Sequence, residues 1–284
     1  MKIGIMFSNV VLFGTRDGAR ALAEAAEESG IESLWTVEHV VVPEGYDSPY
    51  PYSRSGKMPG GETSPIPDPL AWIAYVAALT QTVRLATGVL ILPQRNPVIL
   101  AKECATIDVL SGGRLTLGVG IGWLAEEFDA IGVPFDERVD RTEEHVSALR
   151  ALWSQDETFD GKFTSFSQAR SNPKPVQEGG VPIVVGGHTK AAARRAGRIG
   201  DGFFPARPDN LEELIAECRA AAQEAGRDPD AIEITSGGLP DLDFAKRLED
   251  LGVHRLVVPP PSFDPNDIKR ALGELSGNLV AKVG

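Results

Sequence analysis

Eight short apolar segments rich in β-branched residues alternate along the chain with longer segments whose apolar residues recur at helical spacing. Strands that alternate with helices predict a parallel sheet joined by right-handed crossovers. Eight such units in 284 residues predict a closed (β/α)8 barrel, the TIM-barrel architecture. The predicted strands are Lys2–Asn9, Glu32–His39, Val83–Ile91, Arg114–Gly122, Pro182–Gly187, Asp201–Pro205, Ile232–Gly238 and His254–Pro259.

The segments between the strands predict the helices of the barrel. An open, doubly wound sheet is the alternative, but such a sheet often carries a G-x-G-x-x-G motif after its first strand, and Asn9–Gly14 lacks it. We therefore expect one domain over residues 1–284. The predicted helices are Thr15–Ser29, Pro69–Thr80, Val98–Leu110, Glu137–Trp153, His188–Ile199, Asn210–Ala225, Leu242–Leu251 and Asn266–Leu279.

The formal net charge of −12 argues against a partner that is a nucleic acid or an anionic membrane surface. No apolar run reaches the roughly 18 residues that a membrane-spanning helix needs. The apolar run near the N-terminus is too short for an export signal, so we expect a cytoplasmic protein. Cys104 and Cys218 have no motif spacing and are interpreted as reduced packing residues.

Two connections are longer than is usual in a compact domain. Val40–Asp68 is rich in Pro, Gly, Ser and Tyr and follows the second strand, on the face of a barrel where active sites form. We interpret this long insertion as a lid or a wall of the substrate pocket, and a mobile surface excursion is the alternative. Thr158–Gly180 contains a plausible hairpin around Phe159–Phe163.

The ends of the second and third strands provide candidate functional residues. Glu38-His39 ends the second strand, and a histidine at that end is suited to act as a general acid or base. His145, within a helix, and His254, at the opposite end of a strand, are interpreted as structural. Gly88, between Thr87 and Val89, interrupts an apolar strand, which indicates either a bulge close to a ligand or a tight barrel corner.

The fourth and fifth strands end in glycines. The run Gly118-Val119-Gly120-Ile121-Gly122 removes bulk from one face of a strand and would leave room for a planar ring, with Trp123 at the rim. Gly186-Gly187-His188-Thr189 comes just before a helix, where backbone amides can bind a phosphate. Lys190, Arg194 and Arg195 would add positive charge there. A simple turn with a threonine cap is the alternative.

The sequence contains no metal-binding motif, no Walker motif and no nucleophile elbow. We therefore predict no metal site. A slot for a planar ring, a phosphate loop and one histidine favour a redox cofactor over hydrolysis.

The same motifs carry a family resemblance. Ser33–His39, the segment Leu110–Gly120, the Gly186-Gly187 pair and Ala196–Phe203 together resemble the luciferase-like monooxygenase superfamily, and most closely its branch that uses coenzyme F420, a 5-deazaflavin. The resemblance covers nearly the whole chain. It implies a luciferase-like (β/α)8 barrel, an oxidoreductase acting on a small organic substrate, and a homodimer.

The resemblance also implies roles for individual residues. His39 would act as acid or base or would orient the substrate, and Glu38 would contact the cofactor. The bond between Gly88 and Val89, beside Thr87, would be a cis peptide that supports the ring. The segment from Gly186 to Thr189 would hold the cofactor phosphate. Gly122 and Trp123 are candidates for lining the ring site because of their place at the end of the fourth strand, independently of the resemblance.

Two departures bear on the substrate and the cofactor. F420-dependent glucose-6-phosphate dehydrogenases carry a catalytic glutamate where this chain has Trp123, and a tryptophan where it has Val40-Val41-Val42, which argues against a sugar phosphate. Glu126 and Glu127, one helical turn further on, could replace that glutamate only in part. The alternative is an FMN-dependent monooxygenase that uses reduced flavin and oxygen. A deazaflavin reacts poorly with oxygen, so the cofactor selects the reaction.

Overall fold

The computed structural model describes residues 1–156 and 158–283, and its main sheet is a closed parallel barrel. Each strand pairs with its neighbours in chain order, and the last strand pairs with the first. The predicted (β/α)8 barrel is therefore confirmed. Its strands are β1 Lys2–Ile5, β2 Ser33–Thr36, β3 Arg84–Thr87, β4 Leu115–Gly120, β5 Ile183–Gly186, β6 Gly202–Phe204, β7 Glu233–Gly237 and β8 Arg255–Val258.

The helices surround this barrel close to their predicted positions, and one short helix after β4 was not predicted. A two-stranded hairpin, Phe159–Asp160 with Ser165–Phe166, forms where the sequence predicts one. The helices are α1 Arg16–Glu28, α2 Pro69–Ala77, α3 Pro97–Ser111, the additional α4 Ala125–Ile131, α5 Arg138–Trp153, α6 Lys190–Ile199, α7 Leu211–Glu224, α8 Leu242–Asp250 and α9 Ile268–Leu275.

The first two strands are shorter than predicted. Hydrogen bonds from a side chain and a change of backbone direction replace the strand-to-strand hydrogen bonds at their carboxyl ends. Phe7 has a φ of 58°, in the left-handed region, and this ends the extended run of β1. Beyond β2, the Asn9 side chain bonds both the backbone N–H and the C=O of Val37, at 2.8 and 2.9 Å. Both changes occur at the carboxyl ends of the strands, where the chain is shaped into a site.

Two hydrophobic clusters hold the barrel together. The larger one lies between the strands and the surrounding helices. The smaller one lies on the other face of the strands and consists of Trp35, Ala86, Val184, Phe204 and Val257. The smaller cluster fills the barrel interior, as expected for inward-facing side chains. Within residues 1–156 and 158–283 no helix is long and apolar enough to cross a membrane.

Candidate functional site

The predicted interruption of β3 is a bulge at the carboxyl end of the barrel. The peptide bond between Gly88 and Val89 is cis, as predicted, and the chain pairs with β4 again at Leu90–Ile91. A Cβ at Gly88 would lie 3.0 Å from the Trp35 ring and 3.4 Å from the Phe204 ring. The bulge therefore rests directly on the aromatic side chains that fill the barrel.

The glycines of β4 make room for this bulge, which corrects the interpretation that they leave an open slot for a planar ring. A Cβ at Gly118 would lie 1.8 Å from the Thr87 carbonyl oxygen, and one at Gly120 would lie 2.5 Å from a Val89 methyl group. A Cβ at Gly186 would meet the other Val89 methyl at 2.5 Å. Val89 thus occupies the space over β4 and β5, and its contact with a cofactor ring stays a prediction.

Thr87 and Gly122 have structural contacts. The Thr87 hydroxyl is buried and donates to the Gly118 carbonyl at 2.6 Å, so it joins β3 to β4. Gly122 has a φ of 79°, and a Cβ there would collide with the rings and methyl groups of Phe128 and Ile91. A contact between either residue and a cofactor stays a prediction.

His39 is held by a buried carboxylate. Its Nδ1 lies 3.1 Å from Oε2 of Glu127 in the first turn of α4. The other Glu127 oxygen accepts the backbone N–H of Val40 at 2.6 Å and of Val41 at 3.3 Å. Because Glu127 is almost wholly buried, it fixes both the imidazole and the start of the long loop. A histidine oriented in this way is suited to acid–base work through its other nitrogen.

An aromatic wall, consisting of Trp123, Tyr46, Tyr50 and Tyr52, lies beside His39. The Trp123 ring is 5.5 Å from the His39 ring, 5.5 Å from that of Tyr46 and 5.1 Å from that of Tyr50, each edge to face. The three tyrosines belong to the long loop that follows His39, so the loop packs on the rim residue Trp123. The long loop therefore forms a wall of the barrel mouth.

Glu38 faces away from His39 and into a network below the long loop. Its carboxylate accepts hydrogen bonds from the Arg95 guanidinium and from the Ile91 backbone N–H. Arg95 also pairs with Asp68, which caps α2 at the end of the long loop. Burial raises the pKa of Glu38, while Arg95 and the amide oppose that rise. Both oxygens of the Glu38 carboxylate are thus engaged, and its contact with a cofactor stays a prediction.

The turn between β5 and α6 contains the threonine cap that the sequence left open as an alternative, and phosphate binding there stays a prediction. Gly187 has a φ of 133°, and its N–H donates to the Phe204 carbonyl at 3.2 Å. The Thr189 hydroxyl caps α6 by accepting the Ala192 N–H. His188 Nδ1 is buried and finds no hydrogen-bond partner among the described residues. Burial, together with the nearby Arg207 charge, lowers the pKa of His188.

The positive charges that the sequence suggested for this turn lie elsewhere. Lys190 and Arg194 pair with Glu217 of α7, and Lys190 also with Glu213. Arg195 pairs with Glu143 of α5. Residues four apart share one face of a helix, so Lys190 and Arg194 both face α7, and Arg195 faces α5. Arg207, from the loop after β6, lies near this turn and pairs with Asp209 at 3.4 Å.

The sequence alone does not identify several residues of this site. The sequence presents Glu127 only as a partial replacement for another glutamate, although two acidic residues after Gly122-Trp123 signal a helix start. Arg95 and Arg207 are single charged residues in loops, and no sequence motif around them indicates a place in the site. His145 and His254 contact backbone groups, the Leu92 carbonyl and the Ile234 N–H, as expected of structural residues. No cluster of three metal-binding side chains occurs in the described part of the chain.

The fold and the site together define a (β/α)8-barrel protein whose polar groups converge at the carboxyl ends of its strands. A family model described as luciferase-like monooxygenase matches residues 1–240. The chain therefore belongs to the luciferase-like monooxygenase family, a family of oxidoreductase enzymes.

Similar proteins come from several organisms. An uncharacterized protein of Mycobacterium tuberculosis is 35% identical over 92% of this chain and 94% of its own length. An F420-dependent glucose-6-phosphate dehydrogenase of Amycolatopsis mediterranei is 33% identical over 88% of this chain and 72% of that protein. A monooxygenase from Streptomyces bottropensis has a TM-score of 0.76 at 25% identity, with both chains fully covered.

Proposed function

We propose that this chain is a coenzyme F420-dependent oxidoreductase that transfers a hydride between the deazaflavin and a small organic substrate. The observation that carries the proposal is the pairing of His39 with the buried Glu127 at the barrel mouth, because it places an oriented proton donor or acceptor there. The F420-dependent relatives support the choice of cofactor.

The residues present fit a flavin-type group. Val89 offers an apolar, partly exposed surface against which a ring can lie, and its neighbours Gly120 and Gly186 hold it in place. The unpartnered His188 Nδ1 and the charge of Arg207 lie beside the β5–α6 turn, where a phosphate would bind. Binding of the phosphate would therefore depend on His188, Thr189 and Arg207. It would depend less on the Gly187 amide, which already donates to the Phe204 carbonyl.

In this mechanism the chain's own residues handle the proton. When bound, a deazaflavin accepts or donates a hydride at its C5 carbon. His39 takes the substrate's proton in one direction and returns it in the other. Glu127 holds the His39 ring by Nδ1, which leaves Nε2 as the nitrogen that exchanges the proton. The aromatic wall packs beside this ring through Trp123.

The cofactor is tested by titrating the purified protein with F420 and, separately, with FMN. We expect F420 to bind more tightly, and Gly187→Val to weaken that binding because a Cβ at this φ is strained and meets the Ala192 side chain. Gly273→Val, on the outer helix α9 with open space around it, is the matched control and should bind normally. Circular dichroism checks that both variants fold. Failure of F420 to bind would refute the proposal.

An FMN-dependent monooxygenase is the second candidate, and the likeness to the Streptomyces bottropensis monooxygenase favours it. Preferential binding of FMN, with oxygen consumption on adding reduced flavin and substrate, would establish it in place of the first. The homodimer implied by the family resemblance is also a proposal, which light scattering of the purified protein would test.

A further inference from the structure

We propose that a groove on the outside of the barrel binds a monocarboxylate with an apolar chain, the chemical class of a medium-chain fatty acid. This α3–α5 groove lies between the first half of α3, the end of α5 and the loop that precedes β5. The inference goes beyond the proposed function, because it concerns a second ligand on the outer helices and does not depend on which cofactor the barrel mouth binds.

The α3–α5 groove has the size of a small-molecule site. Its volume is about 380 Å³. Ligand pockets in proteins commonly enclose roughly 300–1,000 Å³ and combine an apolar lining with a few polar groups that fix orientation. The groove is therefore large enough for a short acyl chain together with its head group.

Most of the lining is apolar. Val98 and Ile99 of α3 are 37% and 60% exposed, although both are apolar side chains. Leu152, near the end of α5, and Ala169 of the loop complete the apolar surface, and both pack against the hydrophobic core. Apolar side chains that stay exposed in a concave surface commonly mark the binding of an apolar group. They would contact the chain of the ligand.

Two cations line the same groove, and neither pairs with a carboxylate in the described part of the chain. The Arg170 guanidinium is exposed and has no hydrogen-bond or ion-pair partner among residues 1–156 and 158–283. Lys102 donates to the Asn172 carbonyl, which uses one of the three donors of its ammonium group. Acidic residues outnumber basic ones in this chain by 40 to 28, so two cations without an acidic partner leave a place for an external anion.

The charge balance favours an anion with a single charge. Glu103 is the acidic residue of the lining, and burial raises the pKa of its carboxyl group, while the Arg95 charge opposes that rise. Even with Glu103 ionised, the lining carries two positive charges and one negative charge. A monocarboxylate neutralises this excess, and the planar fork of an arginine matches the two oxygens of a carboxylate.

Hydrogen bonds hold the walls of the groove in place. The Trp153 indole N–H donates to the Ala101 carbonyl at 3.1 Å and joins the end of α5 to α3. Lys174 Nζ donates to the Leu152 carbonyl at 2.8 Å, so the loop is attached to α5, and Lys102 attaches it to α3. A site whose walls are already ordered loses little entropy when a ligand binds.

The experiment measures binding of octanoate to the purified protein by equilibrium dialysis at pH 7, with 1-octanol and inorganic phosphate as comparison probes. We expect about one octanoate to bind per chain, and 1-octanol to bind about tenfold more weakly or less, because it lacks the charge that Arg170 recognises. Phosphate should not displace octanoate, since it offers no apolar chain to Val98 and Ile99.

Two variants separate the head group from the chain. Arg170→Gln should weaken octanoate binding by about tenfold and leave 1-octanol binding unchanged. Ile99→Asp should weaken the binding of both probes, because a carboxylate replaces an apolar contact. All substituted side chains are exposed, and circular dichroism checks that each variant folds.

Matched controls lie outside the groove. Arg54→Gln removes another exposed arginine, in the long loop, and Leu110→Asp changes an apolar residue of the same helix α3 that is 72% exposed. Both should bind octanoate normally. Equal binding of octanoate and 1-octanol, displacement of octanoate by phosphate, or unchanged octanoate binding in Arg170→Gln or Ile99→Asp would overturn the inference. None of these results would alter the F420 titration, which tests the proposed function separately.

Discussion

At the scale of single residues, His39 and Glu127 work as one unit. Glu127 distributes its two oxygens between the His39 ring and the backbone amides of Val40 and Val41. One side chain therefore orients the proposed acid or base and ties down the chain that follows it. Removal of either residue should affect the proton-transfer step more than the binding of the cofactor.

We expect His39→Ala to lower turnover by about 10²–10⁴-fold, the usual contribution of a general acid or base. Glu127→Gln should lower it by less, because glutamine keeps the size of the side chain but loses the charge. In the double variant the two losses should not multiply, since Glu127 acts through His39. Steady-state kinetics and a separate measurement of the cofactor Kd test this.

Asp129→Asn is the matched control for Glu127→Gln, because Asp129 is an exposed acidic residue of the same helix α4. Its turnover should equal that of the unchanged protein. Multiplicative losses in the double variant would show that Glu127 acts independently of His39. Normal turnover in His39→Ala would remove this histidine from the mechanism.

At the scale of elements, α4 and the long loop form a connected pair. Glu126 accepts the N–H groups of Asp47 at 2.7 Å and of Ser48 at 3.0 Å, and the Ser48 hydroxyl in turn accepts the Ala125 N–H. Hydrogen bonds from the Ser48 side chain and from these amides lower the pKa of Glu126 to about 2. The short helix thus anchors a loop that has no regular secondary structure of its own.

We expect the segment Val40–Asp68 to exchange its amide hydrogens faster than the barrel strands in the free protein, and more slowly with cofactor and substrate bound. Few buried apolar groups and irregular backbone make local opening of such a loop inexpensive. Glu126→Gln should accelerate exchange around Asp47 and Ser48 in the free protein. Hydrogen exchange by mass spectrometry measures both effects, and equal protection of the loop in both states would contradict a role as a lid.

The pH dependence of this anchor follows from the lowered pKa of Glu126. A carboxyl group whose pKa is lower in the folded state stabilises that state above its ordinary value of 4.5 and loses this effect as the pH falls toward about 2. The difference between the unchanged protein and Glu126→Gln should therefore persist at pH 5 and shrink below it. Exchange measured at several pH values checks this.

At the scale of the whole molecule, the carboxyl end of the barrel carries the candidate site, whereas the amino end carries a buried ion network. Arg255 of β8 is buried at the amino end of the strands and pairs with Glu32, before β2, at 2.7 Å and with Glu233 of β7. The pKa values of both glutamates are lowered: burial would raise them, but the hydrogen bonds and charge of Arg255 outweigh it. This ion network joins the last strand to strands on either side of the barrel seam.

We expect Arg255→Met to lower the free energy of unfolding at pH 7 by about 3 kcal/mol, because two partly buried carboxylates lose their partner. Cofactor affinity should be unchanged, since the network lies at the end opposite His39. Because the pKa values of Glu32 and Glu233 are lowered in the folded state, this loss should diminish as the pH falls below 4.5. Urea unfolding at several pH values measures it.

Arg20→Met provides the control for a surface ion pair. Arg20 lies 3.5 Å from Glu24 on the exposed face of α1, and such pairs contribute less than about 1 kcal/mol. A loss in Arg255→Met no larger than in Arg20→Met would show that the buried network does not stabilise the barrel.

The sequence by itself determined the barrel, because the eightfold alternation of strand and helix patterns is local and repeats along the chain. It also located His39, the bulge at Gly88-Val89 and the β5–α6 turn, since glycines and a histidine at strand ends stand out within apolar segments. These are features of short segments, in which neighbouring residues carry the whole signal.

Only the tertiary structure decided how these features meet. His39 and Glu127 are 88 positions apart, and Arg95 and Glu38 are 57 apart, so no local pattern connects them. The sequence predicts an open slot over the glycines of β4, whereas the Val89 side chain fills it. The sequence places Lys190, Arg194 and Arg195 just after the turn, yet their side chains face neighbouring helices. The direction of a helical side chain depends on how the helix is rotated about its axis and on which distant residues face it. The rotation of each helix and its distant neighbours are fixed only when the barrel closes.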